Sequence, residues 1–320
     1  MRRGLLLAAL ATAALASPQC AGLPNFDGKT ECDEAAPPAV IIDTDPGCDD
    51  VLALAWALAA QKVGALRILA VTTVPGNSKA EVTYTAATGT LALALAAMAV
   101  PPPPRPTADV LDAPTTAFST PVGRGYDGDD PDDGTADFFH GADGIGGHAS
   151  LFPAALLDEQ PFETAPSSVE LLVSTLLDAP PNSVTILALG PLTNLAAAEE
   201  LQPGVLARAK EIIVMGGAFN VPGNISPHAE FNIFFDPEAA SKVLAASNGR
   251  ITLFPLDVTS TITFNASHLE RLTSTDGTAA TRDSHRALLA LIEGVWTWNS
   301  KMSLKVLHHM LVRALPGTAT

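Results

Sequence analysis

The chain has 320 residues, 47% of them hydrophobic, enough apolar surface to close a full core; one large domain is the simplest architecture at that length. Its formal net charge is −16, a field that repels polyphosphates and anionic headgroups, so nucleic acid and membrane are not expected partners. Neutral small molecules and divalent cations fit that charge, although acidity also serves simply to keep a protein soluble.

In chain order, Arg2 and Arg3 precede a short apolar run, residues 5–16, that closes on the small-x-small triplet Ala14-Leu15-Ala16. This pattern predicts a signal peptide over 1–16, too short to span a bilayer, and hence a secreted protein. Residues 17–38 form a polar, Pro-containing lead, and 39–320 the expected domain. Cys20 and Cys32 could pair on an oxidising route. Cys48 is left over and reads as a small buried residue rather than a nucleophile, since no His relay is evident beside it.

The run Ala39-Val40-Ile41-Ile42, with three β-branched residues, predicts a strand that runs directly into Asp43. A helix is expected over 51–60 with Asp49 or Asp50 at its N-terminus, then a strand over 66–74 ending in Pro75-Gly76-Asn77, then a helix over 80–100 stopped by four prolines. Residues 101–148 are the least regular. Their acidic run from Asp127 to Gly134 resembles a calcium loop, but its carboxylates are not in EF-hand order, so it reads as a solvated surface loop. A helix over 169–177 follows, then strand 184–189, helix 192–201, strand 211–215, helix 237–246 and strand 251–256.

This alternation predicts an α/β fold: a mostly parallel central sheet with helices on both faces. Strand after strand ends in a polar or Gly-rich cluster: Asp43-Thr44-Asp45, Gly76-Asn77, Gly190 to Asn194, Gly216-Gly217 and Asp257-Val258-Thr259. In open parallel sheets the ligand site lies beyond the carboxyl ends of the strands, where these clusters are expected to converge.

The first cluster, Asp43-Thr44-Asp45-Pro46-Gly47-Cys48-Asp49-Asp50, packs four carboxylates into eight residues. A helix N-terminus favours one or two acids through its dipole; helix capping explains one of the four, and the rest call for a cation or a network of donors. Hard oxygen donors with no Cys/His set beside them favour calcium or magnesium over zinc. Asp257 closes an apolar strand and could add a ligand, or serve only as a turn residue. The second cluster, Asn224 to Asn232, includes Glu230 and His228; its amides and acid could grip vicinal hydroxyls, or simply build an Asn- and Gly-rich turn.

Together these segments resemble the inosine-uridine-preferring nucleoside hydrolases. The resemblance is carried by DTDPGCDD at 43–50, GN at 76–77, HGADGIGG at 140–147, LGPLTNLA at 189–196, MGGAFNVPGNISPHAEFNIFFDPEAA at 215–240 and LDVT at 256–259. It implies a nucleoside hydrolase-like fold, with the site at the C-terminal strand ends, that cleaves the N-glycosidic bond of a small-molecule nucleoside with Ca2+ as cofactor. By that resemblance Asp45, Asp50, Asp257 and the Leu189 backbone carbonyl would hold calcium. Asp49, Asn77, Asn224, Glu230 and Asn232 would hold the ribose. Asp45 would act as general base, His140 would lie near the leaving base, and Asp43 would support the site. A homo-oligomer is compatible with all of this.

The chain also departs from the family's pattern. Leu256 stands where some relatives place a His that protonates the leaving base, with His140 and His228 as candidate substitutes. Beyond about residue 275 the recognisable motifs end, so the C-terminal part is expected to be atypical or truncated. There Trp296 and Trp298 could stack on a base or pack a core, and the pair His308-His309 lacks companion ligands. Asn265-Ala266-Ser267 is a candidate glycosylation site; Asn224-Ile225-Ser226 also fits the sequon but is expected to stay unmodified, because a glycan would block the ribose pocket. Two other classes compete: a catalytically inactive calcium- or ribose-binding relative, and a phosphatase using Asp43-x-Asp45 as its nucleophile motif, which the Asn/Glu/Asn cluster disfavours.

Overall fold

A computed structural model describes residues 36–98, 120–125, 135–152, 157, 161–261 and 290–294. The predicted signal peptide, all but the last three residues of the lead, Cys20, Cys32, the acidic run 127–134, the Asn265 sequon, Trp296, Trp298 and His308-His309 lie outside the described residues.

Among the described residues, six strands form one sheet: β1 (Ala39–Thr44), β2 (Arg67–Thr73), β3 (Val122–Gly123), β4 (Val184–Ala188), β5 (Glu211–Met215) and β6 (Ile251–Phe254), in the order β3-β2-β1-β4-β5-β6. Every pairing is parallel. The sequence shows why. Successive side chains point to opposite faces, and in these strands both sets are apolar, so both faces must be covered. Ile41, Ile186 and Ile212 pack on one side beneath α4 (Ser168–Asp178), α5 (Thr193–Leu201) and α7 (Pro237–Ala246). Val40, Ile42, Leu187 and Ile213 pack on the other beneath α1 (Cys48–Lys62) and α2 (Ala80–Met98). Ile41 and Ile186 are fully buried and adjacent in register; each contributes about 1.5–3 kcal/mol by leaving water.

The predicted strands and helices form within a few residues of the expected bounds. The exception is the last strand, which stops at Phe254 because Pro255 has no N–H to donate to the ladder. Residues Leu256–Thr259 turn into a one-turn helix, α8, so Asp257 sits on a helical turn instead of closing a strand. Other short elements were not anticipated, among them β3, α3 (Asp137–His140), α6 (Phe231–Phe235) and the 3-10 turns Ala149–Leu151, Phe162–Thr164 and Leu206–Arg208. Among the described residues, no helix is long and apolar enough to cross a membrane.

The strand order places the site. From β1 the chain builds outward through β2 and β3 on one side, then returns to add β4, β5 and β6 on the other. The order reverses between β1 and β4, and the crevice at such a switch point is where ligands bind. Asp43 is opposite Thr72 on one side and Ala188 on the other, and Leu189 N donates to Asp43 O at 2.8 Å. The acidic end of β1 and the Leu189-Gly190 end of β4 therefore lie side by side.

Candidate active site

Asp43 anchors the end of β1. Its Oδ1 accepts from the Thr72 hydroxyl at 2.6 Å and from Asn194 Nδ2 at 2.8 Å. Asn194 Nδ2 also reaches Thr73 O at 2.7 Å, tying β1 and β2 to the first turn of α5. Burial pushes the Asp43 carboxyl up to about 7, against the pull of these two bonds. Its Oδ2 and Asn194 Oδ1 are buried without a hydrogen-bond partner. Asn194 stood inside LGPLTNLA, but nothing in the sequence linked it to an acid 151 residues away.

Two residues on, Asp45 is buried between glycines. Its Oδ2 accepts from Asn77 N at 2.8 Å, and the Asn77 side chain donates to Asp45 O at 2.9 Å and to Asp50 Oδ2 at 3.4 Å. A methyl group at Gly190 would lie 2.6 Å from Asp45 Oδ1, and one at Gly76 would strike Oδ2. These glycines let the ends of β2 and β4 close around the carboxylate. Asp50 accepts from Thr44 Oγ1 at 2.6 Å and from Gly47 N at 3.0 Å, so it caps α1 while facing the crevice. Burial raises the Asp45 pKa well above the usual carboxylate range, with Asp50 and Asp49 adding to the rise. Burial and Asp49 raise Asp50 to about 7. Asp49 itself is exposed at the start of α1.

His140 closes this side. It is buried at the end of α3, and Cys48 N donates to its Nδ1 at 3.2 Å. A histidine thus stands beside Cys48 after all, its Nδ1 accepting from the Cys48 backbone amide. Cys48 is free and fully buried, and burial pushes its thiol up to about 12, as expected of an inert residue.

Across the crevice, Glu230 is buried and caps α6. Its Oε1 accepts from Asn232 N at 2.9 Å, and its Oε2 from Gly217 N and Ile233 N at 3.1 Å each. Burial lifts its pKa despite these amides. Asn232 Nδ2 donates to Leu189 O at 2.9 Å and Met215 O at 3.1 Å, joining the ends of β4 and β5. Asn224 is exposed, and its Oδ1 accepts from Phe231 N at 2.8 Å; His228 is exposed. Asp257 is partly covered. Its carboxylate accepts from Phe219 N at 2.9 Å and Asn220 N at 2.7 Å, and these amides hold its pKa below the ordinary value. Asp45, Asp49, Asp50, Asn77 and His140 therefore share the β1–α1 side, while Leu189, Glu230 and Asn232 share the β4–β5 side. Asp257 is further along that edge: among the described residues no three acid, His or Cys side chains are gathered as a metal ion would gather them.

A parallel sheet with a crevice at its switch point is where α/β proteins of this topology bind their ligands, and here that crevice is lined by oxygen donors. The sequence model of the family described as "Inosine-uridine preferring nucleoside hydrolase" matches residues 40–315, and the chain belongs to that family. The match continues past residue 275, where the recognisable motifs stop. An uncharacterized protein of Schizosaccharomyces pombe is 36% identical over 234 residues, 73% of this chain and 66% of its own length. Uridine nucleosidase 1 of Arabidopsis thaliana is 34% identical over 239 residues, 74% of this chain and 62% of that protein. The inosine-uridine preferring nucleoside hydrolase of Leishmania major is 33% identical over 227 residues, 70% and 62% of the two chains. The chain thus spans just under two thirds of the length of these curated relatives. A solved plant nucleoside hydrolase superposes with a TM-score of 0.69 at 30% identity, covering 89% of this chain and 80% of that one. A purine-preferring ribonucleoside hydrolase from Gardnerella vaginalis, at 21% identity and a TM-score of 0.62, shares the fold over 85% of this chain and 79% of its own.

Proposed function

We propose that this protein hydrolyses the N-glycosidic bond of ribonucleosides to ribose and free base, with Ca2+ as its cofactor. One observation carries the reading. Asp45 and Asp50 are buried together at the switch point, and the neighbouring charges that raise their pKa values are themselves acidic. A cation beside two such carboxylates favours their joint ionisation.

The donor set suits calcium: buried carboxylates and a backbone carbonyl are hard oxygen ligands. Asp45, Asp50 and the Leu189 carbonyl would hold it, with Asp257 joining from further along the same edge. Bound there, calcium would supply Lewis acidity toward oxygen. Asp45 takes a proton from the attacking water as a bond from C1′ to oxygen forms and the bond from C1′ to the base nitrogen breaks, its electron pair leaving with the base, which takes up a proton from solvent. The acidic wall of Asp45, Asp49 and Asp50 favours the positive charge that grows on the ribosyl ring. Asn77, Asn224, Glu230 and Asn232, with Asp49, hold the sugar hydroxyls, and His140 faces the leaving side. The Arg-Arg and Leu/Ala-rich start of the chain supports export.

The test is a reducing-sugar assay over a panel of purine and pyrimidine nucleosides. Ribose release is expected, with loss in a calcium chelator and recovery on adding Ca2+. Undiminished activity in chelator overturns the metal role. Nucleoside binding without any ribose release selects the inactive binding relative, a reading favoured by the separate position of Asp257.

A further inference from the structure

The loop after His140 contains a carboxylate that the proposed chemistry does not use. Asp143 Oδ1 accepts from Gly147 N at 2.8 Å and Ile145 N at 3.2 Å, and its Oδ2 from Ala149 N at 3.0 Å. Within the ring so formed, Gly146 N donates to His140 O at 2.7 Å and Gly144 N to Gly141 O at 2.9 Å. Gly141, Gly144, Gly146 and Gly147 all have positive φ, between 72° and 84°. Such a backbone costs much chain entropy to order and makes no regular ladder, so the carboxylate that collects three of its amides is what defines its shape. The loop is also pinned from below: Ile145 is fully buried against Cys48 and Val51 of α1.

The same α1 turn meets the His140 ring. Cys48 N donates to Nδ1, and a methyl group at Gly47 would be 2.7 Å from the imidazole. A backbone N–H has no choice of role, so Nδ1 is an acceptor, and the neutral ring carries its proton on Nε2.

We propose that Asp143 is a positioning residue: it folds the 141–149 loop into a brace that presses His140 against the first turn of α1 and holds it as the Nε2–H tautomer, a donor rather than a base. This deepens the nucleoside hydrolase reading and rests on it for its kinetic consequence only. Asp143→Asn leaves one acceptor oxygen for three amides; Asp143→Ala leaves none.

Long-range 1H–15N spectra of the full chain, with His140 assigned by its absence in His140→Gln, report the tautomer directly. The wild type is expected to show Nε2–H alone, while both Asp143 variants drift toward the mixture of a free imidazole, Ala further than Asn. With a nucleoside substrate, kcat falls about 10–100-fold in Asp143→Ala, and adding His140→Gln to it lowers kcat little further, because the two act as one unit. An unchanged tautomer in folded Asp143→Asn or Asp143→Ala, or losses that simply add in the double variant, overturns the proposal. A wild type that releases no ribose would defeat the hydrolase reading and leave the spectra to decide this one.

Discussion

Asp45 is a side chain whose position depends on what its neighbours lack. The ends of β2 and β4 close on its two oxygens through Gly76 and Gly190, and Asn77 fixes it from the backbone. Asp45→Asn keeps the shape and removes the proposed base, so kcat is expected to fall about 10²–10⁴-fold with little change in thermal stability, read by the ribose-release assay and a melting curve. Gly190→Ala leaves every functional group in the chain but puts a methyl 2.6 Å from Asp45 Oδ1. A displacement of that order costs about 10²-fold in rate, so Gly190→Ala should be nearly as inactive as the acid variant, whereas unaltered kinetics would show that the crevice tolerates a shifted Asp45. The identity of the acids was legible in DTDPGCDD; the need for Gly190, 145 positions further on, was not, because a close approach between strand ends leaves no local pattern.

At the scale of elements, the strands and longer helices follow from patterning: continuous apolar runs demand cover on both faces, and the caps are written beside them. Asp236 shows how a cap separates from function. Its Oδ1 accepts from Ala239 N at 2.9 Å at the start of α7, and its Oδ2 from the Thr193 hydroxyl at 2.7 Å on α5. Asp236→Ala should lower stability by about 1 kcal/mol in urea unfolding while leaving kcat unchanged. The short elements escaped sequence reading for a physical reason. β3 exists only because Val122 and Gly123 meet Val71 and Thr72, and α6 only because Glu230 caps it while also bonding Gly217. Neither two nor five residues contain enough periodicity to declare themselves. Pro255, by contrast, stood inside the strand expected over 251–256, and its missing N–H accounts for Asp257 leaving the strand.

For the whole molecule, the buried acids couple stability to pH and, on the proposed calcium reading, to metal. Asp43 and Asp50 have an ordinary value of 3.8 and titrate near 7 in the folded chain. Groups raised in this way contribute stability that is fully present below about 3.8 and is lost as pH rises through about 7. The metal-free protein should therefore melt at progressively lower temperature across that window. The proposed calcium site draws on the ionised forms of Asp45 and Asp50, so its stabilisation should be greatest at and above the upper end, amounting to about 2.7 kcal/mol at a free concentration 100 times Kd. Differential scanning fluorimetry over pH, with and without Ca2+, reads both; a calcium shift that grows toward acid pH would show that the cation does not sit on these carboxylates.

By itself, the sequence determined the class of fold, the strands and helices that compose it, the clusters at the strand ends and the family to which the chain belongs, because each is written in short runs of neighbouring residues. Only the tertiary structure decided which clusters share a wall. It brought Asp45 against Gly190, Asn194 onto Asp43, Asn232 onto Leu189 and His140 onto Cys48, and it left Asp257 with the amides of Phe219 and Asn220. Those pairings depend on the reversal of strand order between β1 and β4 and on where loops fold back, and they are set by packing the whole sheet rather than by any segment alone.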